Sequence, residues 1–394
     1  MVDFSLTEEQ LGHIRWVRDF LDTYVRPVAP GLDKISDPNK RFPWDIVEKA
    51  HSEGLLRFGL PETYGGTSVD EVTLCLLQEE LGAADIGVAA IVAQYWNAIG
   101  LIDRMGNDFH RDTFVRAYLD NPRAVYAVAM TEPAAGIDAH LPYDVPDAGP
   151  MLSAVPDGDE IVLNGAKRWI AAAHVADVLI VFARTDTSVG LKQGMTAFIV
   201  TKDTPGFSVA KTFDLTGHRL APIAEIHFDD CRIPKENQLT AWNGAFGEMS
   251  RQTVGRHWVG ARYLGVGREA FELALERAQT RVQGGKPIIE HQMVARTLGE
   301  MAMTLEAARN VIWKSAWGTQ NPEQADPVVM RMSRVFGSEA AMKVALEAVR
   351  LFGAGGISTD SAIEKVLRDA VSGLPPAPLD VSLMVAGQSL ASKR

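Results

Sequence analysis

From residue 123 to residue 236 the chain is cut into short apolar runs with turn signals between them. The runs are 124–130, 160–163, 178–182, 195–200, 207–209 and 225–228. Asp157-Gly158-Asp159, Asp186 and Pro205-Gly206 punctuate them. Runs of this length, bounded in this way, read as strands. Adjacent parallel strands need a crossover of a dozen or more residues, usually a helix. No helical pattern lies between these runs, so βαβ units are not expected and the block reads as a small barrel or sandwich.

Helical periodicity brackets that block. Thr7-Glu8-Glu9 caps a run that places Leu11, Ile14, Val17, Phe20 and Leu21 on one face. A second helix over 44–53 ends at Gly54, and Leu60 to Gly66 is a turn-rich connection. Helical patterns resume through Leu81 and again from Gln94 to Met105. After the strands, helices are expected over 246–282, 291–318, 328–352, 362–372 and 380–391, with alanine and glycine placed for close packing in a bundle. The expected organisation is α+β: an N-terminal all-α domain at 1–122, a middle β domain at 123–238, and a C-terminal four-helix-bundle domain at 239–394.

The charge balance limits the partners. A chain of 394 residues with net charge -11 and pI near 5.4 repels phosphate backbones, and no local basic patch offsets this, so nucleic acid is not an expected partner. Cys75 and Cys231 are the only cysteines and suggest neither a disulfide framework nor a metal site. His13, His51, His110 and His174 show no metal-ligand spacing either, and no metal is expected. No secretory signal is visible at the start. The longest apolar stretch, 86–102, contains Gln94, Asn97 and two glycines and reads as too short and too polar to span a bilayer. A reducing cytoplasm is the expected location.

Two segments carry the chemistry. Thr131-Glu132-Pro133-Ala134-Ala135-Gly136-Ile137-Asp138 follows the first apolar run, and Leu163-Asn164-Gly165-Ala166-Lys167-Arg168-Trp169-Ile170 follows the second. By residue type alone, Thr131 ends a strand and Trp169 is core. As an ordered pair inside their flanks they resemble the flavin-facing segments of the acyl-CoA dehydrogenase family, usually written TEPxAGSD and LNGxKxWIT. Three further segments are similar to that family. They are Arg281-Val282-Gln283-Gly284-Gly285-Lys286-Pro287 with Gln292 behind it, Arg350-Leu351-Phe352-Gly353-Ala354-Gly355-Gly356, and Glu364-Lys365-Val366-Leu367-Arg368-Asp369-Ala370. The order helix, strand, helix is also the family's, so the resemblance covers essentially the whole chain.

The resemblance implies an FAD cofactor, an acyl-CoA substrate and an electron-transfer flavoprotein or similar acceptor. It also implies a homo- or hetero-oligomer, a dimer or tetramer, with shared flavin sites. It places Thr131, Gly136, Ile137, Trp169 and Ala171 against the flavin. It places Arg281, Gln292, Arg350, Gly353 and Ala354 against the FAD, with Arg281 reaching the FAD of a neighbouring subunit. A guanidinium holds pyrophosphate through paired charged hydrogen bonds, and glycines let backbone approach closely. Arg256 falls at a helix position near the CoA nucleotide. Blandly read, Arg281 and Arg256 are solvated arginines and 353–356 is a helix stop. Asp229 to Asn237 is given a structural role.

The chain departs from the pattern where the chemistry is most demanding. The family removes the α-proton of a thioester with a glutamate, assistance worth about 10² to 10⁴ in rate. One family position falls at Ala377 counted forward from Ala370, or at Pro375 counted back from Met384-Val385-Ala386. The other, before Arg256, is Gly255. None is acidic, and Asp380 is the nearest acid. Four cofactor positions differ as well: Ala171 replaces a threonine, Ile137 a serine, and Gly284 and Arg350 stand for phenylalanine and glutamine. Four readings stay open. They are dehydrogenation with Asp380 as a relocated base, a catalytically degenerate scaffold subunit of a heteromeric dehydrogenase, non-redox acyl-CoA chemistry on a retained flavin, and a non-enzymatic binding module.

Overall fold

The computed structural model describes residues 5–136, 138, 141, 144–247, 256–376 and 379–391. The first helix, α1 (Glu8–Phe20), starts because Thr7 and Gln10 cap each other reciprocally, and it buries Ile14, Val17 and Phe20. Helix α2 (Trp44–Ser52) stops where Gly54 takes a left-handed φ of 87°. Helices α3 (Glu71–Ala84) and α4 (Ile86–Met105) are separated by one residue, Asp85. Its carboxylate accepts the N–H of Gly87 at 2.8 Å and of Val88 at 3.0 Å. The periodicity placed this helix from Gln94. It starts at Ile86 because residues 86–93 are buried on every side and show no polar stripe.

That start corrects the membrane argument too. The helix is 20 residues long and is long and apolar enough to cross a bilayer by those measures alone. What assigns it to the core is that 78% of its apolar window is buried inside the protein.

Seven strands follow: β1 (Tyr126–Ala129), β2 (Ser153–Asp157), β3 (Glu160–Ala171), β4 (Val178–Arg184), β5 (Met195–Thr201), β6 (Phe207–Phe213) and β7 (Ile223–Pro234). They form one sheet in the order β1-β4-β2-β3-β7-β6, with β5 also on β4. No helical crossover of the βαβ kind was expected. A parallel pair nonetheless exists, β1 on β4 from Tyr126↔Val178 to Ala129↔Val181, reached through the β2–β3 hairpin rather than through a helix. β2 escaped the sequence reading because Ala154 is its one buried residue and Pro156 interrupts it.

Helix α5 (Arg256–Thr280) leads through a two-stranded hairpin, β8 (Val282–Gln283) and β9 (Lys286–Pro287), into α6 (Gln292–Gln320). Helices α7 (Pro327–Phe352), α8 (Ala362–Val371) and α9 (Leu379–Ala391) complete the chain. α5 and α7 touch backbone to backbone: a Cβ on Gly260 would lie 2.3 Å from the Ser333 carbonyl oxygen, and one on Gly337 2.3 Å from that of Gly260. Further along, Gly267 meets Ala341, and the Arg277 guanidinium lies 5.5 Å from the Phe352 ring. The pairs advance together, so α5 and α7 run in the same direction and end side by side.

The Arg368-Asp369 segment holds the three blocks together. Arg368 makes a two-pronged pair with Asp33 at 2.7 and 3.2 Å and donates to the Thr216 carbonyl at 3.0 Å. Asp369 accepts the His218 N–H at 2.9 Å, and Lys365 bridges Asp85 at 2.8 Å and Asp369 at 2.6 Å.

Candidate functional site

The loop after β1 is built on a buried charge. Glu132 accepts the N–H groups of Met151 at 2.7 Å and Leu152 at 2.8 Å, and the Lys167 ammonium at 2.8 Å. Lys167 also donates to the Met130 carbonyl at 2.9 Å and is fully enclosed, which pushes its pKa down to about 8 against the pull of Glu132. Two residues of the sequence motifs therefore join the motifs to each other. Thr131 comes to lie beside Arg168: the Arg168 N–H donates to the Thr131 carbonyl at 3.0 Å, and the Thr131 hydroxyl donates to the Arg168 carbonyl.

Trp169 is the next residue, and it is not core. The β3–β7 register shifts between Arg168↔Glu225 and Ile170↔Ala224, so Trp169 is an extra, unpaired residue at a bulge. Its φ is 63° and its side chain is half exposed. Such a conformation in a non-glycine residue costs ~1–2 kcal/mol and gathers at working sites. The indole lies 4.5 Å, centroid to centroid, from Phe213. The Arg168 guanidinium stands 5.7 Å from the Trp169 ring and 5.6 Å from Phe213, and Lys211 4.9 Å from Phe213. Glu225 pairs with Arg168 and takes a hydrogen bond of 2.8 Å from His227; these, His227 first, hold its carboxyl below the usual range. Sequence reading missed Phe213, Arg168 and Lys211, because only the β6–β7–β3 pairing brings β6 across to Trp169.

The remaining positions on this side are more open. Ala171 ends β3 half-buried, and its replaced hydroxyl leaves no polar side-chain group there. Gly136 is exposed, and a Cβ added to it would meet nothing within 4 Å. Ile137 lies outside the described residues. His174, expected on the surface or satisfied in the core, is neither: burial pushes it down to about 4, and neither ring nitrogen has a hydrogen-bond partner.

The second set of positions collects elsewhere. Arg281 follows α5, Gln292 opens α6, and Arg350, Gly353 and Ala354 end α7, so all sit at the end of the bundle where α5 and α7 finish together. All five are exposed. Arg281 has no hydrogen bond or ion pair for its guanidinium among the described residues, whereas Arg350 pairs with Glu347. Gly284 and Gly285 take φ of 64° and 83°, the two positive values of a tight type I′ hairpin, which accounts for glycine at 284. Among the described residues no hydrogen bond, ion pair or ring contact links these five to Thr131, Trp169 or Ala171. Pro375 is an exposed turn residue and Asp380 an exposed residue in the first turn of α9. Gly255 and Ala377 lie outside the described residues, and Arg256 opens α5.

A cleft of about 790 Å³ lies away from both sets, lined by the Asp33, Lys365, Arg368 and Asp369 network with Arg26 and Glu269. Most of its ionic groups already hold partners within the chain, consistent with a structural seam.

Models of the acyl-CoA dehydrogenase N-terminal, middle and C-terminal domains match residues 7–121, 127–231 and 248–373. The chain belongs to the acyl-CoA dehydrogenase family. An acyl-CoA dehydrogenase of Bacillus subtilis (strain 168) is 32% identical over 93% of each chain. A cyclohex-1-ene-1-carbonyl-CoA dehydrogenase of Geobacter metallireducens is 31% identical over 98% of each. The butyryl-CoA dehydrogenase structure from Megasphaera elsdenii superposes with a TM-score of 0.89, at 31% identity, covering 99% of this chain and 100% of that one. The family is one of flavoprotein oxidoreductases, and the chain's helix–sheet–helix architecture is that family's.

Proposed function

We propose that the chain acts in FAD-dependent α,β-dehydrogenation of an acyl-CoA thioester, inside an assembly in which a second chain closes the flavin site. The observation that supports this most is Trp169, a half-exposed indole kept on a strained bulge beside Thr131 and Phe213. A flat ring system needs such a wall. Arg281, whose guanidinium has no partner among the described residues, suits a pyrophosphate, and the exposed 353–355 backbone suits close approach. The separation of the two sets fits a site shared between subunits. FAD, when bound, would supply the acceptor for the β-hydride. The chain's own part is to hold the flavin plane with Thr131 and Trp169, and the thioester near Arg256. Asp380 would receive the α-proton, and the electrons would leave to an electron-transfer flavoprotein or a similar acceptor.

A second reading has its own support. Pro375 carries no proton-accepting group, and Asp380 is exposed and has no hydrogen bond or ion pair to the other positions among the described residues. A chain of this kind would serve as the half-site subunit of a heteromeric dehydrogenase whose partner supplies the base. The visible spectrum of the chain purified alone separates the two. One FAD per chain, bleached by an acyl-CoA and no longer bleached in Asp380→Asn, is the result expected of an independent enzyme. A colourless protein that takes up flavin only when a second acyl-CoA dehydrogenase chain is co-expressed points to the half-site subunit. No flavin under either condition overturns both.

A further inference from the structure

The bulge in β3 decides which way Trp169 points. Neighbouring residues of a strand face opposite sides of a sheet. Lys167 is fully buried, Arg168 is half-buried, and Ile170 is buried again. Regular alternation would turn residue 169 inward beside Lys167. The extra residue at the bulge, with its φ of 63°, turns the indole outward instead, onto the side that Arg168 occupies. Two successive side chains of β3 therefore share one face.

Strand register fills the rest of that face. Arg168 lies opposite Glu225 and Glu225 opposite Lys211, a row across β3, β7 and β6. Phe213 stands two residues beyond Lys211, and so on the same side. Glu225 has a cation on each flank, and its ion pair goes to Arg168. Lys211 has no ion pair among the described residues, and its ammonium reaches the Phe213 ring alone.

The indole is held by two neighbours that also hold each other. Phe213 lies 4.5 Å from it, and the Arg168 guanidinium 5.7 Å from the indole and 5.6 Å from the Phe213 ring, which closes a three-way contact. Arg168 is itself fixed: Glu225 pins its side chain, and Thr131 takes both its N–H and its carbonyl. A half-exposed side chain without such contacts samples several rotamers, and ordering it on binding lowers affinity. A non-glycine residue at positive φ persists only where its surroundings over-determine it.

We propose that Phe213 and Arg168 are positioning residues for the cofactor. They clamp the Trp169 indole outward before FAD arrives, so that the flavin meets a wall already in place. This rests on the reading of Trp169 as that wall, given above. Both act through Trp169, and neither needs to touch the flavin.

A double-mutant cycle tests this with two readouts. One is near-UV circular dichroism of the chain without FAD. The other is the FAD dissociation constant, with a second acyl-CoA dehydrogenase chain co-expressed where flavin uptake needs it. Phe213→Leu keeps the apolar bulk and removes the aromatic face. It is expected to remove the dichroic band that Trp169→Ala removes, and to weaken FAD binding about threefold to tenfold, the range of an aromatic pair. Arg168→Met is expected to act alike, Phe213→Tyr to keep both signals, and Lys211→Met to leave the dichroic band in place. In a Trp169→Ala background Phe213→Leu is expected to add no further loss, because it acts through the indole. Additive losses overturn the assignment. So does a loss of FAD affinity in Lys211→Met equal to that in Arg168→Met, which marks a field of positive charge rather than a clamp. An unchanged dichroic band in Phe213→Leu overturns it with no flavin in the experiment. FAD binding untouched by Trp169→Ala overturns the reading of Trp169 as the flavin wall, and this assignment with it.

Discussion

Lys167 shows how far a single residue's role departs from its place in a motif. In the sequence it is one letter between Gly165 and Trp169; in the fold it is an enclosed ammonium paired with Glu132. Its folded pKa of about 8 lies below the ordinary 10.5. Between those values the unfolded chain binds more protons than the folded one, so stability rises with pH across that window, by about 3 kcal/mol in full. Urea midpoints at pH 7.5 and pH 10 should show this rise in the wild type and not in Lys167→Met. At pH 7.5 the same variant should lose about 3 kcal/mol, because Glu132 is left buried with backbone N–H groups alone, and adding Glu132→Gln should recover most of it. The flanks of Trp169 marked it as a candidate site residue; its half-exposure was not legible there, because a bulge is a property of the β3–β7 pairing.

Elements were read best where one face is apolar and the ends carry caps. Thr7 and Gln10 announced α1, and Gly54 the end of α2. Elements buried all round, such as α4, or barely buried, such as β2, gave no periodic signal. Glycine in helices is a second case of opposite meanings in one letter. At Gly260 a methyl group would lie 2.3 Å from the Ser333 carbonyl oxygen, while at Gly299 in α6 it would meet nothing within 4 Å. Gly260→Ala should therefore force α5 from α7 and cost about 1–3 kcal/mol despite its better helix propensity. Gly299→Ala should gain about 0.5–1 kcal/mol. Thermal melts of the two variants, followed by far-UV circular dichroism, should move in opposite directions.

At the scale of the molecule, the Arg368 seam adds an ionic tie to the apolar cluster that runs through all three blocks. One guanidinium touches the N-terminal helices at Asp33, the β6–β7 connection at Thr216, and its own helix at Glu364. Arg368→Met removes this three-way bond and leaves Asp33 with Arg219. A loss of about 3 kcal/mol is expected. More informatively, the single calorimetric endotherm of a cooperative unit should split into two as the sheet and the helices melt apart. A single endotherm at a lower temperature would show that apolar packing, not this seam, couples the blocks.

The chain's sequence by itself determined the α+β class, the order of the blocks and the family, because caps, turns and hydrophobic periods are local and the motifs are contiguous. It also showed that Gly255, Pro375 and Ala377 carry no acid, since that is a matter of residue identity. Tertiary structure alone decided which residues meet. It joined Glu132 to Lys167, set Phe213 against Trp169, and brought Arg281 and Gly353, far apart in the chain, to the same end of the bundle. Strand pairing and helix packing bring together residues far apart in the chain, and a residue's burial and charge environment exist only after that has happened.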